Sequence, residues 1–297
     1  MTDILSLAAI GAAGPVGWKL YKAACYGIKR FLEPYFIAHE TKVKEKTELA
    51  IFRNDPLKQL EFAKEFLNNK DGRFPEGAVN DLKNICNVIR VAVSCTEGAH
   101  IDDSPYTEAE EKEWYSRFFD EGRYISDEDL QEVWGHLMAE KIIRPNGVNN
   151  RVLYFIRDLD KREIEIIRRA MRVFLDNDFI PDQIVNKIDG LSRDFVTLLS
   201  LKIAYRSGDI LHPLVICFDL NKDEVIRGKG YNFHLTSLDS KKKVELQCYA
   251  LTPEGQVLSR MCGTELMQEE ARIICNHLNE CWKDTVRVDV VKKDIDT

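Results

Sequence analysis

The sequence predicts an α+β protein that is mainly α-helical, with an N-terminal helical bundle followed by a small mixed α/β domain, for which a winged-helix arrangement is one option. Apolar residues recur with the helical period from about residue 35 to about residue 205. Helix-start signals repeat within that segment, and after Gly208 the pattern changes to one typical of strands. We therefore divide the chain into an amphipathic segment at 1–54, a helical domain at 55–206 and an α+β domain at 207–297.

Composition is that of an ordinary globular protein. The 297 residues are 44% hydrophobic and 31% charged, which excludes extended disorder, collagen and a multispanning membrane protein. Forty-two basic and 49 acidic residues give a net charge of −7, so the chain is not a general coat for nucleic acid. The uncharged stretch Ile4–Trp18 is shorter than the roughly 20 residues of a spanning helix, and Asp3 stands where a signal peptide carries a cation. We expect neither membrane spanning nor export.

Eight cysteines are scattered without the dense spacing of a disulfide scaffold. They are typical of reduced core thiols in a cytoplasmic protein. These residues are Cys25, Cys86, Cys95, Cys217, Cys248, Cys262, Cys275 and Cys281.

The segment after Trp18 predicts a basic amphipathic helix. Lys19, Lys22, Lys29 and Arg30 fall within roughly a 100° arc of a helical wheel, and apolar residues occupy the opposite side. The favoured interpretation is a helix that packs its apolar face on the protein and exposes its cations. Two alternatives are peripheral contact with an anionic membrane, with Trp18 at the interface, and docking in the groove of a partner.

Recognisable N-cap residues precede the predicted helices of the helical domain. Asp55 precedes Pro56, a pair that is typical of a helix N-terminus. Three capping boxes follow, each ahead of apolar residues at helical spacing. Their residues are Thr107 with Glu110, Ser126 with Asp129, and Asp160 with Glu163. A helical bundle is the expected result.

Charge is segregated along this domain. Residues 108–140 hold eleven acidic and three basic residues, a balance of −8, whereas residues 141–174 hold nine basic and four acidic residues, a balance of +5. Attraction between neighbouring helices is the favoured explanation, and recruitment of a basic partner is the alternative. His136 shares a helical face with Glu132 and Glu140, a spacing that suits either a metal ion or, as we prefer, surface charge pairing.

The stretch 114–159 contains an aromatic helix, the segment I-S-D-E-x-x-Q-x-x-W, then L-x-A-x-E, a Pro-Gly turn and a short helix that begins with arginine. It resembles an uncharacterised bacterial family, domain of unknown function 2806. In this chain the turn is Pro145-Asn146-Gly147, and asparagines precede Arg151 where the family more often has serines. The segment 251–255, with sequence LTPEG, is weakly similar to a turn of the Abi-alpha abortive-infection group.

The resemblance transfers no catalytic residue. It implies a bacterial cytoplasmic protein from a locus of conflict between host and phage. Ser126 as an N-cap and Trp134 on a core stripe have structural explanations, whereas Gln131 and Glu140 have no obvious packing role. We therefore take Gln131, Glu140 and Arg151 as the motif's functional candidates.

In the C-terminal third, β-rich segments predict strands at 214–220, 231–235, 244–250, 256–261 and 286–291, with a helix at 265–282. Cys275, His277 and Cys281 lie close in sequence, but Cys275 falls on a different helical face from Cys281, so buried thiols are favoured over a zinc site.

Two basic turns resemble the wings with which winged-helix proteins contact phosphates. Solvated turns carry lysine as well, and this is the favoured explanation. The residues are Arg227, Lys229, Lys241, Lys242 and Lys243.

No P-loop, nucleophile elbow or zinc-protease motif is present, so the sequence predicts neither an enzyme nor a bound cofactor. The leading hypothesis is a bacterial binding protein of phage defence, cytoplasmic or peripheral at the inner membrane, with a protein partner or a second copy of itself. A nucleic-acid-binding regulator and an enzyme with an unrecognised site are the alternatives.

Overall fold

The structure is a computed structural model that describes residues 14–40, 46–102, 108–206, 215–219, 224–238, 243–262 and 264–293. The chain forms two compact units, Met1–Arg157 and Asp158–Thr297. The boundaries expected at residues 54 and 206 fall inside these units. The reason is tertiary: the N-terminal helix packs on later helices of the first unit, and the strand at Ala204–Arg206 pairs within the second.

All the regular secondary structure among the described residues of the first unit is helical. Its helices are α1 (Pro15–Glu40), α2 (Lys46–Asn54), α3 (Pro56–Asn68), α4 (Glu76–Thr96), α5 (Glu108–Gly122), α6 (Glu128–Ile143) and α7 (Asn150–Arg157).

Local chemistry sets where these helices begin. Asp55 accepts hydrogen bonds from the amides of Leu57 and Lys58, which confirms the predicted cap of α3. The cap of α6 is Asp127, whose carboxylate accepts from Asp129 and Leu130, so the prediction of Ser126 was wrong by one residue. Thr107, the predicted cap of α5, lies outside the described residues.

The core of this unit depends on close contact between helices. A Cβ atom added to Gly135 of α6 lies 2.4 Å from the Cβ of Val91 in α4, so only glycine allows this approach. Beside it, the rings of Phe118 and Trp134 pack 5.0 Å apart, and both side chains are buried. A second aromatic cluster joins α1, α2 and α3. Its members are Phe31, Tyr35, Phe36, Phe52, Phe62, Phe66 and Phe74.

The second unit combines helices with antiparallel sheets. Its elements are α8 (Lys161–Met171), β1 (Phe179–Pro181), α9 (Ile184–Lys187), α10 (Leu191–Ser200), β2 (Ala204–Arg206), β3 (Val215–Asp219), β4 (Glu224–Gly228), β5 (Tyr231–Ser237), β6 (Lys243–Leu251), α11 (Pro253–Met261), α12 (Gln268–Cys281) and β7 (Val286–Lys292). The capping box of Asp160 and Glu163 at α8 is confirmed.

Strand β6 organises the first sheet, because β1, β2 and β3 all pair with it. Phe179 faces Ala250, Ala204 faces Leu251, and Val215 faces Gln247. The second sheet has the order β4-β5-β7, with Gly228 opposite Tyr231 and Tyr231 opposite Lys292. Every pairing between described strands is antiparallel, and the combination of helices with antiparallel sheets confirms the predicted α+β class.

The strand expected at 256–261 is the helix α11. Thr252 accepts a hydrogen bond from the amide of Gly255, and Pro253 occupies the first helical turn, so the segment read as a turn is a helix N-terminus. The helix expected to continue to residue 205 ends at Ser200, and Lys202 with φ of 57° redirects the chain into β2. The short strands β1, β2 and β4 were not predicted.

Opposite charges pair within each unit. In the first unit Arg157 contacts Glu121 at 3.4 Å, and Arg144 contacts Glu140 at 2.8 Å. In the second unit Arg169 and Arg172 belong to the basic segment 141–174. They pair with Asp194 and Glu270, which lie outside the acidic segment 108–140. The predicted attraction of the two segments therefore accounts for only part of the ion pairing.

Candidate functional site: a cationic and aromatic groove

Helix α1 has the amphipathic form that the sequence predicted. Leu20, Ala24, Ile28 and Leu32 recur every four residues and are fully buried in the first unit. Burial of a side chain such as leucine contributes about 1.5–3 kcal/mol, so this face is held in the bundle and is not free for lipid. The favoured interpretation of the apolar face is thereby confirmed.

The cationic side of α1 forms the floor of a groove with a cavity of about 380 Å³. One wall comes from the junction of α2 and α3, and the other comes from the start of α5. This volume lies in the usual range for small-molecule sites. The lining residues are Trp18, Lys19, Tyr21, Lys22, Ala23, Cys25, Tyr26, Lys29, Arg53, Asn54, Pro56, Gln59, Glu111, Lys112 and Tyr115.

Aromatic rings line one end of this groove. Trp18 and Tyr21 are stacked at 5.6 Å, and the Lys22 ammonium lies 5.8 Å from the centroid of the Trp18 ring. Trp18 is 51% exposed, although a large apolar side chain is usually buried. Burial raises the pKa of Tyr21 to about 12 and the pKa of Cys25 to about 11, so both groups are neutral at physiological pH.

The charge of the lining is strongly positive. Five lysine or arginine side chains face the cavity against one carboxylate, Glu111. Arg53 donates to Glu33 at 2.7 Å, and Lys29 donates to the carbonyl of Arg53 at 3.4 Å. Within the described part of the chain, Lys19 and Lys22 are drawn into no ion pair. These two ammonium groups are therefore the ones best placed to meet an anionic ligand.

Four of the five predicted surface residues on α1 line this groove. The fifth, Arg30, is directed elsewhere and makes two hydrogen bonds to the Asp120 carboxylate at 3.1 and 2.7 Å. Sequence reasoning missed Tyr26 of α1 itself and the residues of the walls, among them Arg53, Gln59 and Tyr115. The wall residues come from three other helices, and no sequence signal indicated that they meet α1.

The motif candidates lie elsewhere in the first unit. Gln131 is buried and donates to Asn84 at 3.1 Å and to the carbonyl of Ile125 at 2.8 Å, which ties the start of α6 to α4. Glu140 is buried and accepts from Arg144. Arg151 is exposed on the first turn of α7. The structure does not bring these three together in the groove.

The basic turns of the second unit differ in orientation. Arg227 is exposed and lies 3.9 Å from Asp176, whereas Lys229 is directed into the protein and donates to the carbonyls of Ser259 and Cys262. Burial lowers the pKa of Lys229 to about 8. Lys243 is exposed at the start of β6, and Lys241 and Lys242 lie outside the described residues. Lys229 is thus a poor candidate for phosphate contact.

The residues whose spacing suits a metal ion form only two-residue contacts among the described residues. His136 lies 3.9 Å from Glu132, and the Cys281 sulfur lies 3.4 Å from His277 Nε2, on the shared face that the helical spacing predicted. Cys275 is buried and donates to the carbonyl of Val288. Across the described ranges, no group of three or more His, Cys, Asp or Glu side chains is arranged to hold a metal ion.

None of the described helices combines the length and the apolar character that crossing a bilayer requires.

The fold and the groove define a mainly helical α+β protein with a ligand-sized, positively charged site in its first unit. Residues 71–185 match the family model described as a protein of unknown function, DUF2806. This match confirms the family resemblance expected from the sequence, over a segment that includes α4 to α8 and the α5 wall of the groove. No curated protein and no solved structure matches the chain.

Proposed function

We propose that this protein is a binding protein whose groove on α1 takes up a phosphate group, in the form of an anionic phospholipid headgroup at a membrane surface. The observation that carries the proposal is the grouping of Lys19, Lys22 and Lys29 in one cavity with the exposed ring of Trp18. Lysines bind phosphate oxygens, and an indole at the rim suits the boundary between headgroups and acyl chains.

This mode of contact differs from insertion of an amphipathic helix. The apolar face of α1 is occupied by the bundle, so the helix meets a headgroup with its cationic side alone. Each lysine near an anionic surface contributes about 1 kcal/mol, and loss of two lysines corresponds to about 30-fold weaker binding. Reversal of both charges adds repulsion and weakens binding further.

Flotation with vesicles tests the proposal. Full-length protein is mixed with phosphatidylglycerol vesicles or with uncharged phosphatidylcholine vesicles, and the double variant Lys19→Glu/Lys22→Glu is compared with Lys64→Glu/Lys83→Glu. The control lysines are exposed on α3 and α4 and do not line the groove, and both double variants have the same net charge. We expect only the groove variant to lose flotation, and only with anionic vesicles.

Fluorescence gives an independent readout. Trp18 is 51% exposed, whereas Trp114, Trp134 and Trp282 are at most 5% exposed, so quenching by iodide reports mainly on Trp18. Anionic vesicles should protect Trp18 from iodide. Equal loss of flotation in both double variants, or quenching that vesicles do not change, contradicts the proposal. Protection by soluble glycerol phosphate or a nucleotide but not by vesicles assigns the phosphate to a free ligand.

The cellular setting is proposed on the sequence resemblance alone. The likeness to the Abi-alpha group implies a bacterial defence role, in which a membrane-bound pool of the protein responds to phage infection. The test is phage plating on a bacterial strain that expresses the wild-type protein or Lys19→Glu/Lys22→Glu. A defence role at the membrane requires the wild type to reduce plating and the groove variant to lose this effect.

A further inference from the structure

The wall of the groove that α2 and α3 form carries two side-chain amides. One belongs to Asn54, the last residue of α2, and the other to Gln59, early in α3. Asn54 is exposed. Gln59 is only 3% exposed, and it lines the cavity. This wall therefore offers a ligand polar groups that differ in kind from the ammonium groups of the floor.

Both amides direct their NH2 groups toward the main chain. Gln59 Nε2 donates to the carbonyls of Phe52 at 2.8 Å and Arg53 at 3.4 Å. Asn54 Nδ2 donates to the carbonyl of Ala50 at 2.9 Å. Because a carbonyl oxygen only accepts hydrogen bonds, these contacts fix which atom of each amide is the nitrogen.

The two amide oxygens remain as acceptors for a ligand. Neither Gln59 Oε1 nor Asn54 Oδ1 accepts a hydrogen bond from any part of the chain that the structure describes. Gln59 Oε1 is not one of the fully enclosed unpaired atoms among the described residues, so part of its surface remains accessible. An amide oxygen repels phosphate oxygens, so a ligand at this wall must supply hydrogen-bond donors.

The wall acceptor lies beside a cation of the floor. Lys29 Nζ donates to the carbonyl of Arg53 at 3.4 Å, and Gln59 Nε2 donates to the same oxygen. The ammonium and the amide are thus neighbours at the junction of floor and wall. A phosphate bound by Lys29 therefore places its ester substituent next to Gln59.

The charge of the groove decides which donors fit. Five lysine or arginine side chains and one carboxylate line the cavity, so an ammonium group on a ligand is repelled. Ethanolamine and serine headgroups carry such a group. Hydroxyl groups donate hydrogen bonds without a charge, so they suit both the amide oxygens and the positive surroundings.

We propose that the groove selects an anionic phospholipid whose phosphate carries an uncharged polyol, of which phosphatidylglycerol is the simplest case. The floor lysines bind the phosphate, and the polyol hydroxyls donate to Gln59 Oε1 and Asn54 Oδ1. This inference rests on the function proposed above, since it names the headgroup that the same groove takes up.

A matched pair of lipids tests the selection. Phosphatidylpropanol has the same single negative charge as phosphatidylglycerol and the same three-carbon headgroup, but it lacks both hydroxyls. Full-length protein is titrated with phosphatidylcholine vesicles that contain equal fractions of one or the other lipid, and binding is measured by flotation. We expect about tenfold tighter binding to phosphatidylglycerol, the difference that two hydrogen bonds of ordinary net strength produce.

Two substitutions assign the preference to the wall. Gln59→Met and Asn54→Ala each remove one acceptor and should reduce the preference for phosphatidylglycerol. Binding to phosphatidylpropanol should stay unchanged, which shows that the groove is still folded. Gln131→Met is the control, because Gln131 is a buried glutamine that donates to the carbonyl of Ile125 outside the groove. Asn54 is exposed, so its variant supplies the test even where Gln59→Met does not fold.

The outcomes separate this inference from the function on which it rests. Equal binding of the wild type to both anionic lipids, or a preference that survives both wall substitutions, overturns the selection and leaves phosphate binding by the lysines intact. Failure to bind either anionic lipid overturns the proposed function and the selection together.

Discussion

The buried ion pair of the second unit supports a quantitative prediction about stability. Arg172, the C-cap of α8, donates three hydrogen bonds to Glu270 of α12, the shortest being 2.7 Å, and the Glu270 side chain is only 3% exposed. Glu270 also accepts from the amide of Met267 at 2.9 Å, which caps its own helix. Substitution of Glu270 by Gln removes the charge but keeps the shape.

The size of this effect follows from burial. Removal of one partner from a buried ion pair costs about 3–5 kcal/mol, because the remaining charge is left without compensation. The Arg172 side chain is 21% exposed and is partly hydrated, so we expect the lower end, about 3 kcal/mol. With a urea dependence of about 2 kcal/mol per M, the midpoint of unfolding falls by about 1.5 M.

The neighbouring residue provides a matched control. Glu269 pairs with Arg272 at 3.3 Å on the same helix, but these side chains are 71% and 66% exposed. The variant Glu269→Gln should cost no more than about 0.5 kcal/mol, since exposed pairs contribute little. Urea titrations followed by circular dichroism measure both free energies, and hydrogen exchange should localise the loss to α12. Equal costs for the two variants refute the argument that burial decides the value of the pair.

Three further predictions follow from packing, capping and protonation. Gly135→Ala should destabilise the protein by about 1–3 kcal/mol, because the added Cβ contacts Val91. Gly77→Ala should be neutral or stabilising, because no atom lies within 4 Å of the added Cβ. Equal urea midpoints for the two variants contradict this prediction. Asp127→Ala should lower the free energy of unfolding by about 1 kcal/mol and Ser126→Ala by only a few tenths of that amount. If thermal melts show the larger loss of stability for Ser126→Ala, then Ser126 is the cap of α6. Burial lowers the pKa of Lys141 from 10.5 to about 8, so between pH 8 and pH 10.5 the unfolded chain binds one more proton than the folded protein. The free energy of unfolding of the wild type should therefore rise with pH relative to that of Lys141→Met. If urea titrations at pH 7 and pH 9.5 give the same difference in unfolding free energy between the two proteins, the pKa shift is contradicted.

Local sequence was sufficient for several structural features. The caps at Asp55 and Asp160 were predicted because the side chain and the amides it binds are at most three residues apart. The apolar stripe of α1 was predicted because one residue in each turn must be buried. The cap at Asp127 was missed by one position, since serine and aspartate are both favoured there.

Structural features that depend on contacts between residues far apart in the sequence were not predicted from local patterns. The segment after Leu251 was taken for a turn and a strand, although Thr252 and Pro253 begin a helix. Strands β1 and β2 have three residues each and carry no alternating pattern, because they form only where β6 offers hydrogen-bond partners. The orientation of Lys229 likewise depended on carbonyls at Ser259 and Cys262, which are 30 and 33 residues away.

The fold class, the helical two-thirds of the chain and the cationic side of α1 follow from local sequence, because hydrophobic period and capping act over a few residues. What those cations face depends on the packing of the helices. The walls of the groove come from α2, α3 and α5. The groove requires residues that are distant along the chain, and packing of the helices is the physical event that brings them together.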